Sequence, residues 1–261
     1  MCYNVIKGDM MKHIKENWKF LLFIIIVGII ASYFTTIYTL DMVPEEEMSK
    51  AIEQVGSREM VIAISALQSI VYVVLFGIFG IILSNKVGLW KKINIKKKEL
   101  GITSLIALIG GISLIVFDVC VFGRFNDIIK QSYETKPSWI YIMASFTYGG
   151  VVEEVMMRLF LMSLLSLIIY KIFYKKEKEI PIKVYVIANV ISAILFAAGH
   201  FPSTIQAFGY LDGLLIFRSL LLNGGAGLAF GWLYRKYGIH YAMLAHFGCH
   251  LVSKVIWFFI V

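Results

Sequence analysis

The chain alternates between long apolar runs and short polar connections. The apolar runs lie near residues 18–40, 60–84, 101–122, 138–173, 184–200, 213–234 and 239–260. A helix rises about 1.5 Å per residue and the hydrocarbon core of a bilayer is about 30 Å thick, so runs of this length fit membrane-spanning helices. The pattern therefore predicts an all-α fold, a polytopic transmembrane bundle of about seven to eight membrane helices.

The fourth run is too long for a single straight crossing. It is apolar from 138 to 173 and contains Gly149-Gly150 directly before two glutamates. A glycine weakens a helix by about 1 kcal/mol relative to alanine. The glycine pair therefore predicts a kink or break, and a separate short helix before it would give eight helices instead of seven.

Composition supports a membrane protein and argues against a soluble one. Hydrophobic residues make up 59% of the chain and charged residues only 16%, whereas a soluble domain is roughly 45–50% apolar. We predict a lipid-embedded chain without a soluble appendage, divided into N-terminal membrane helices (1–135) and a catalytic membrane region (136–261). The net charge of +8 arises from basic loops, so we predict the bilayer and no nucleic acid as a partner.

The charges of the loops predict an orientation. Lysines precede the first run, an acidic loop follows it, and the next loop is strongly basic from Lys86 to Lys98. Basic loops are retained in the cytoplasm, which places the N-terminus inside and the C-terminus outside after seven crossings. The first run is longer than a signal-peptide core, so we expect a retained span. The Ile- and Lys-rich composition favours a bacterial plasma membrane as the location.

Ionisable residues inside the apolar runs are the candidates for function. A charge at the bilayer centre costs at least about 2.5–3.5 kcal/mol and is usually retained for a purpose. The residues of this kind are Asp118, Glu153, Glu154, Arg158, His200, Arg218, His246, His250 and Lys254. Asp118 and Arg218 are the best candidates for a structural pair between helices.

The two adjacent glutamates are predicted to differ in function. Glu154 and Arg158 are four residues apart, so they share a helix face and can pair. Glu153 points about 100° away and is left without a helical cation, which makes it available as a general base. The alternative is that all three residues form an ion cluster that holds helices together.

Three histidines follow in the later apolar runs. Phe196 and His200 stand at the end of one run, and His246 and His250 lie one helical turn apart in the last. Such a pair of imidazoles suits either a metal ion or two donors to an oxyanion. The spacing leaves a zinc ion open, with four candidate ligands: Glu153, His200, His246 and His250.

The order of these motifs resembles one known family. The chain reads E-E-x-x-x-R at 153–158, then F-x-x-x-H ending at His200, then a histidine-led motif at His246. A glycine-rich stretch at 224–227 lies between the histidine motifs. From Ser138 onward the chain resembles the CPBP family, which includes the type II prenyl (CAAX) protease and bacterial Abi proteins.

The resemblance implies a role for each matching residue. Glu153 with His200 would activate the water that attacks a scissile amide, and Glu154 with Arg158 would brace the site. His246 and the residue one turn later would stabilise the oxyanion. The family is described as metalloprotease-like, and a metal-independent glutamate mechanism is also argued for it.

One position departs from the family pattern. The family usually has Asn or Asp where this chain has His250, so the role carried over to His250 is less secure than that of His246. A histidine at this position also makes a bound zinc ion easier to accommodate.

The leading interpretation is an intramembrane endopeptidase that cleaves a membrane-associated peptide or protein precursor. Bacteriocin or signal-peptide processing and self-immunity are the roles that the resemblance implies. Two alternatives stay open: a noncatalytic membrane scaffold or immunity protein that binds a partner, and a proton-coupled transporter that uses the same residues as a relay. The sequence leaves the oligomeric state undetermined.

Overall fold

The computed structural model describes residues 11–261, which contain helices and no strand. The helices are α1 (Trp18–Leu40), α2 (Glu45–Val55), α3 (Arg58–Lys86), α4 (Lys97–Cys120), α5 (Asp127–Ser132), α6 (Trp139–Phe173), α7 (Ile182–Gly199), α8 (Phe201–Phe208), α9 (Gly213–Tyr237) and α10 (Ile239–Ile260).

Seven helices in this part of the chain are long and apolar enough to cross a bilayer. They are α1, α3, α4, α6, α9 and α10, together with α7, which α8 prolongs. The bounds of these spans agree with the predicted apolar runs to within a few residues, except where a short following helix prolongs a span. Large apolar side chains such as Leu67, Ile109 and Phe259 point outward. The prediction of an all-α membrane bundle is confirmed, with seven spans.

Helix α6 runs without the predicted break. Its backbone stays helical from Trp139 to Phe173 and takes up π-helical turns at Ser145–Val152 and Val155–Met162. The glycine pair lies inside the first π-helical segment. The prediction of a break, and of a separate short helix, is therefore wrong.

Close packing against α10 explains the glycines. A Cβ atom placed on Gly149 would lie 2.5 Å from Nε2 of His250, and one on Gly150 would lie 3.0 Å from Cβ of Phe247. Small residues allow helices in a membrane to approach closely. The tertiary contact thus outweighs the low helix propensity of glycine.

One hydrophobic core joins the N-terminal and C-terminal helices. Ile24 of α1 and Ile81 of α3 are buried in the same cluster as Leu159 of α6 and Ala242 of α10. Helix α4 lies along α10, where a Cβ on Gly111 would come 2.6 Å from Cβ of Val252. The N-terminal helices therefore support the helices that carry the candidate residues.

Candidate active site

The carboxylate of Glu153 lies between two imidazole rings. Its Oε1 is 3.9 Å from Nε2 of His200, and its Oε2 is 3.8 Å from Nε2 of His246. These separations are too long for direct hydrogen bonds and short enough for one water molecule to bond to both groups. Residues from α6, from the end of α7 and from α10 thus converge.

The second nitrogen of each imidazole has a fixed partner. Nδ1 of His200 lies 2.8 Å from the carbonyl oxygen of Phe196, and Nδ1 of His246 lies 2.8 Å from Oε1 of Glu154. A carbonyl and a carboxylate only accept, so Nδ1 is the donor in both rings. Each ring therefore presents Nε2 toward Glu153.

Glu154 and Arg158 form the predicted helical pair. Nη1 of Arg158 donates to Oε1 of Glu154 at 3.0 Å, and the side chains are 0% and 1% exposed. The guanidinium also lies over the ring of Phe196 at 4.5 Å and over that of Phe230 at 5.5 Å. The pair is enclosed by aromatic faces, which attract a cation in a site shielded from water.

Helix α9 supplies two features that sequence reasoning did not assign. A Cβ on Gly227 would lie 2.9 Å from Nη2 of Arg158, so the absence of a side chain there makes room for the guanidinium. The ring of Phe230 stacks on His246 with centroids 4.6 Å apart. Gly227 belongs to the glycine-rich stretch noted in the sequence, whereas a phenylalanine in an apolar helix gives no signal.

His250 packs directly behind His246. The two rings stack with centroids 4.9 Å apart and an angle of 25° between their planes. Nδ1 of His250 is buried and has no hydrogen-bond partner among the described residues. A metal ion lies close to the plane of each imidazole ring that binds it. Because the planes of His246 and His250 are nearly parallel and stacked, no single ion could lie in both planes.

The arrangement does not fit a metal centre made of the four predicted ligands. No group of three or more His, Cys, Asp or Glu side chains within residues 11–261 is placed to hold an ion. The carboxylate oxygens of Glu153 lie 3.9 Å from Nε2 of His200 and 3.8 Å from Nε2 of His246, distances that a bridging water molecule can fill. The zinc site of Glu153, His200, His246 and His250 stays a prediction, and no step below depends on it.

A cavity of about 690 Å³ gives access to the three converging side chains. Its volume lies within the range of roughly 300–1,000 Å³ that holds small ligands. The Glu153 side chain is 19% exposed and that of His200 is 30% exposed, so both can be reached from the cavity. The neighbouring Glu154 is fully buried. The two adjacent glutamates therefore have different surroundings, as predicted.

A second polar group lies in the same cavity. Arg218 of α9 binds Asp118 of α4 through two hydrogen bonds, Nε to Oδ1 at 2.7 Å and Nη2 to Oδ2 at 2.6 Å. The Tyr133 hydroxyl donates to Oδ2 of Asp118 at 2.9 Å. Burial and then the Asp118 carboxylate raise the pKa of Tyr133, which lies between α5 and α6. The predicted pair between helices is confirmed.

Comparison with known proteins agrees with the motifs. Residues 135–252 match the family described as type II CAAX prenyl endopeptidase Rce1-like. The match begins just before α6 and includes all six predicted site residues. A comparison with curated proteins and with solved structures finds no match. The resemblance seen from Ser138 onward is thereby confirmed, while the role of each site residue stays a prediction.

Proposed function

We propose that this chain, whose residues 135–252 match the family described as type II CAAX prenyl endopeptidase Rce1-like, is an intramembrane endopeptidase that cleaves a membrane-associated peptide or protein precursor. One observation carries the proposal: the Glu153 carboxylate lies within one water molecule of Nε2 of both His200 and His246. This is the arrangement that hydrolysis of an amide by an activated water requires.

In the proposed reaction, Glu153 is the general base. A water molecule held by Glu153 and by Nε2 of His200 gives a proton to the carboxylate and attacks the scissile carbonyl carbon. The proton then passes from Glu153 to the leaving amine, whose bond to carbon breaks. Because the site lies among apolar helices, few competing waters weaken these polar interactions.

His246 is proposed to stabilise the oxyanion. Its Nδ1 donates to Oε1 of Glu154 at 2.8 Å, which fixes the ring so that Nε2 faces the cavity. In the proposed role the ring carries a hydrogen on both nitrogens, so that Nε2 donates into the cavity toward the developing charge. Arg158 holds Glu154 in place from its other side, so Glu154 and Arg158 act as positioning residues.

The substrate is proposed to be a peptide precursor at the membrane. Bacteriocin or signal-peptide processing and self-immunity are the roles we favour, in the plasma membrane of a bacterium with the N-terminus in the cytoplasm. The cavity supports this because it is open among helices whose outer surface is apolar. In the proposed function, a substrate that is itself held at the bilayer enters this cavity, where Glu153 is exposed.

The test is a cleavage assay in proteoliposomes. Peptide precursors encoded beside the gene would be incubated with the wild type, with Glu153→Gln and with the control Glu177→Gln, whose side chain is exposed in the loop after α6. We expect products by mass spectrometry for the wild type and the control and none for Glu153→Gln. Full cleavage by Glu153→Gln would contradict the proposal.

Two other outcomes would favour the alternatives. If Glu153→Gln leaves immunity or partner binding intact and no peptide is cut by any variant, the chain is a noncatalytic scaffold. If Glu153→Gln abolishes a pH-dependent flux across proteoliposomes instead, the chain is a proton-coupled transporter.

A further inference from the structure

Lys254 lies in the cavity wall two helical turns beyond His246. The residue is buried, with 8% of its surface exposed, and it lines the cavity that also holds Glu153. The ammonium Nζ lies 4.0 Å from the ring centroid of Tyr141 and 5.3 Å from that of Trp257. Two aromatic faces therefore hold this cation in a fixed position.

No carboxylate neutralises this lysine. Among the ion pairs of the described residues, none includes Lys254. Two acidic residues line the same cavity, Glu153 and Asp118. Glu153 lies between His200 and His246, and both oxygens of Asp118 are bound by Arg218 and Tyr133. Within the described residues Lys254 thus has the aromatic side chains of Tyr141 and Trp257 as neighbours but no carboxylate partner. A bound anion in this buried wall would interact strongly with the ammonium.

The helix spacing sets the distance from Lys254 to the reacting groups. His246 and Lys254 are eight residues apart on α10, which is about 12 Å along the helix axis. An extended peptide advances about 3.3 Å per residue, so about three to four residues span this distance. His246, His250 and Lys254 all line the same cavity.

We propose that Lys254 is the part of the cavity that binds a carboxylate of the substrate, about three to four residues from the scissile bond. This inference rests on the proposed endopeptidase function and assigns the substrate feature that the site selects. The carboxylate belongs either to a free C-terminus or to an acidic side chain, because both present the same two oxygens to the ammonium. Tyr141 and Trp257 position the lysine for this contact.

Binding tests the proposal without the need for cleavage. The Glu153→Gln protein in nanodiscs would be titrated with three fluorescein-labelled peptides: tetraleucine as the free acid, tetraleucine with an amidated C-terminus, and the amidated peptide with glutamate as its last residue. We expect the better of the two carboxylate peptides to bind about tenfold more tightly than the uncharged amide, as read by fluorescence anisotropy. Whichever of these two peptides binds more tightly shows whether the site takes a free C-terminus or an acidic side chain.

Variants at position 254 assign the effect to the lysine. On the same background, Lys254→Met should reduce the tenfold preference to about one, and Lys254→Arg should retain it. Lys136→Met is the matched control, because Lys136 also lies over an aromatic ring, that of Phe258 at 4.2 Å, but is exposed outside the cavity. That variant should keep the full preference.

Two results would overturn the proposal. One is equal affinity for all three peptides in the protein that retains Lys254, a result that does not depend on the folding of any variant at position 254. The other is a preference that survives in Lys254→Met. A protein that prefers carboxylate peptides through Lys254 but cuts no peptide would support the carboxylate site and contradict the endopeptidase, so the two failures are distinguishable.

Discussion

Nδ1 of His246 lies 2.8 Å from Oε1 of Glu154, and both side chains are almost completely buried. The same imidazole turns Nε2 toward the other glutamate, with 3.8 Å between that atom and Oε2 of Glu153. His246 thus connects two adjacent glutamates that have different surroundings. Glu154 is enclosed with Arg158, whereas Glu153 faces the cavity.

Loss of Glu154 should destabilise the protein strongly. Glu154→Ala leaves Arg158 as a buried charge without its partner, which typically costs about 3–5 kcal/mol in the free energy of unfolding. The double variant Glu154→Ala/Arg158→Met removes both charges and should recover much of that loss. Thermal unfolding in detergent, followed by circular dichroism, measures both effects. Equal stability of the single variant and the wild type would contradict the ion pair.

The positioning role of Glu154 can be separated from its contribution to stability. Glu154→Gln retains the size of the side chain but replaces the carboxylate that accepts a hydrogen bond from Nδ1 of His246 with a neutral amide. We expect a lower kcat with little change in KM and a changed pH profile of cleavage, because the oxyanion donor is weakened and substrate binding is not. A variant with the wild-type kcat and pH profile would argue that Glu154 has a structural role only.

Gly227 and Gly225 provide a matched pair on helix α9. A Cβ on Gly227 would lie 2.9 Å from Nη2 of Arg158, whereas one on Gly225 meets no atom within 4 Å in the described structure. Gly227→Ala should therefore cost about 1–3 kcal/mol of stability and reduce cleavage, because Arg158 must shift. Gly225→Ala should be neutral or stabilising by up to about 1 kcal/mol. Chemical denaturation and the cleavage assay check both variants, and a reversed order of stability would contradict the packing.

Gly149 should be intolerant of a side chain because of His250. Gly149→Ala places a Cβ 2.5 Å from Nε2 of His250 and should force α6 and α10 apart, with a loss of about 1–3 kcal/mol in stability. Replacing the ring with a smaller group should relieve the clash, so Gly149→Ala/His250→Ala should be more stable than Gly149→Ala alone. Melting temperatures of the three proteins measure this. A double variant less stable than the single would show that the steric account is wrong.

Removal of metal should leave cleavage unchanged. The stacked rings of His246 and His250 do not point their nitrogens at one metal position. The carboxylate of Glu153 lies 3.8–3.9 Å from Nε2 of His200 and of His246, a separation that suits a bridging water molecule. We expect much less than one zinc ion per chain by elemental analysis and full activity after dialysis against a chelator. One tightly bound zinc per chain, with activity lost on chelation and restored by zinc, would establish the metal site that the residue pattern left open.

The sequence alone predicted those features that depend on local order along the chain. Hydropathy located the seven spans because each must match the thickness of the bilayer by itself. The pairing of Glu154 with Arg158 was predictable for the same reason, since four residues make one turn of the same helix. The family match over 135–252 likewise depends on the order of residues.

Tertiary structure decided everything that depends on contact between helices. Glycine propensity predicted a kink or break in α6, and the break is wrong, because Gly149 packs against His250 and the helix continues through the glycine pair. His200 and His246 lie on different helices, and only the packing of those helices shows that both rings face Glu153. Nothing in the order of residues shows that Lys254 meets Tyr141. The physical reason is that hydropathy and helix periodicity determine which segments enter the bilayer, whereas the packing of side chains between helices determines which residues face each other.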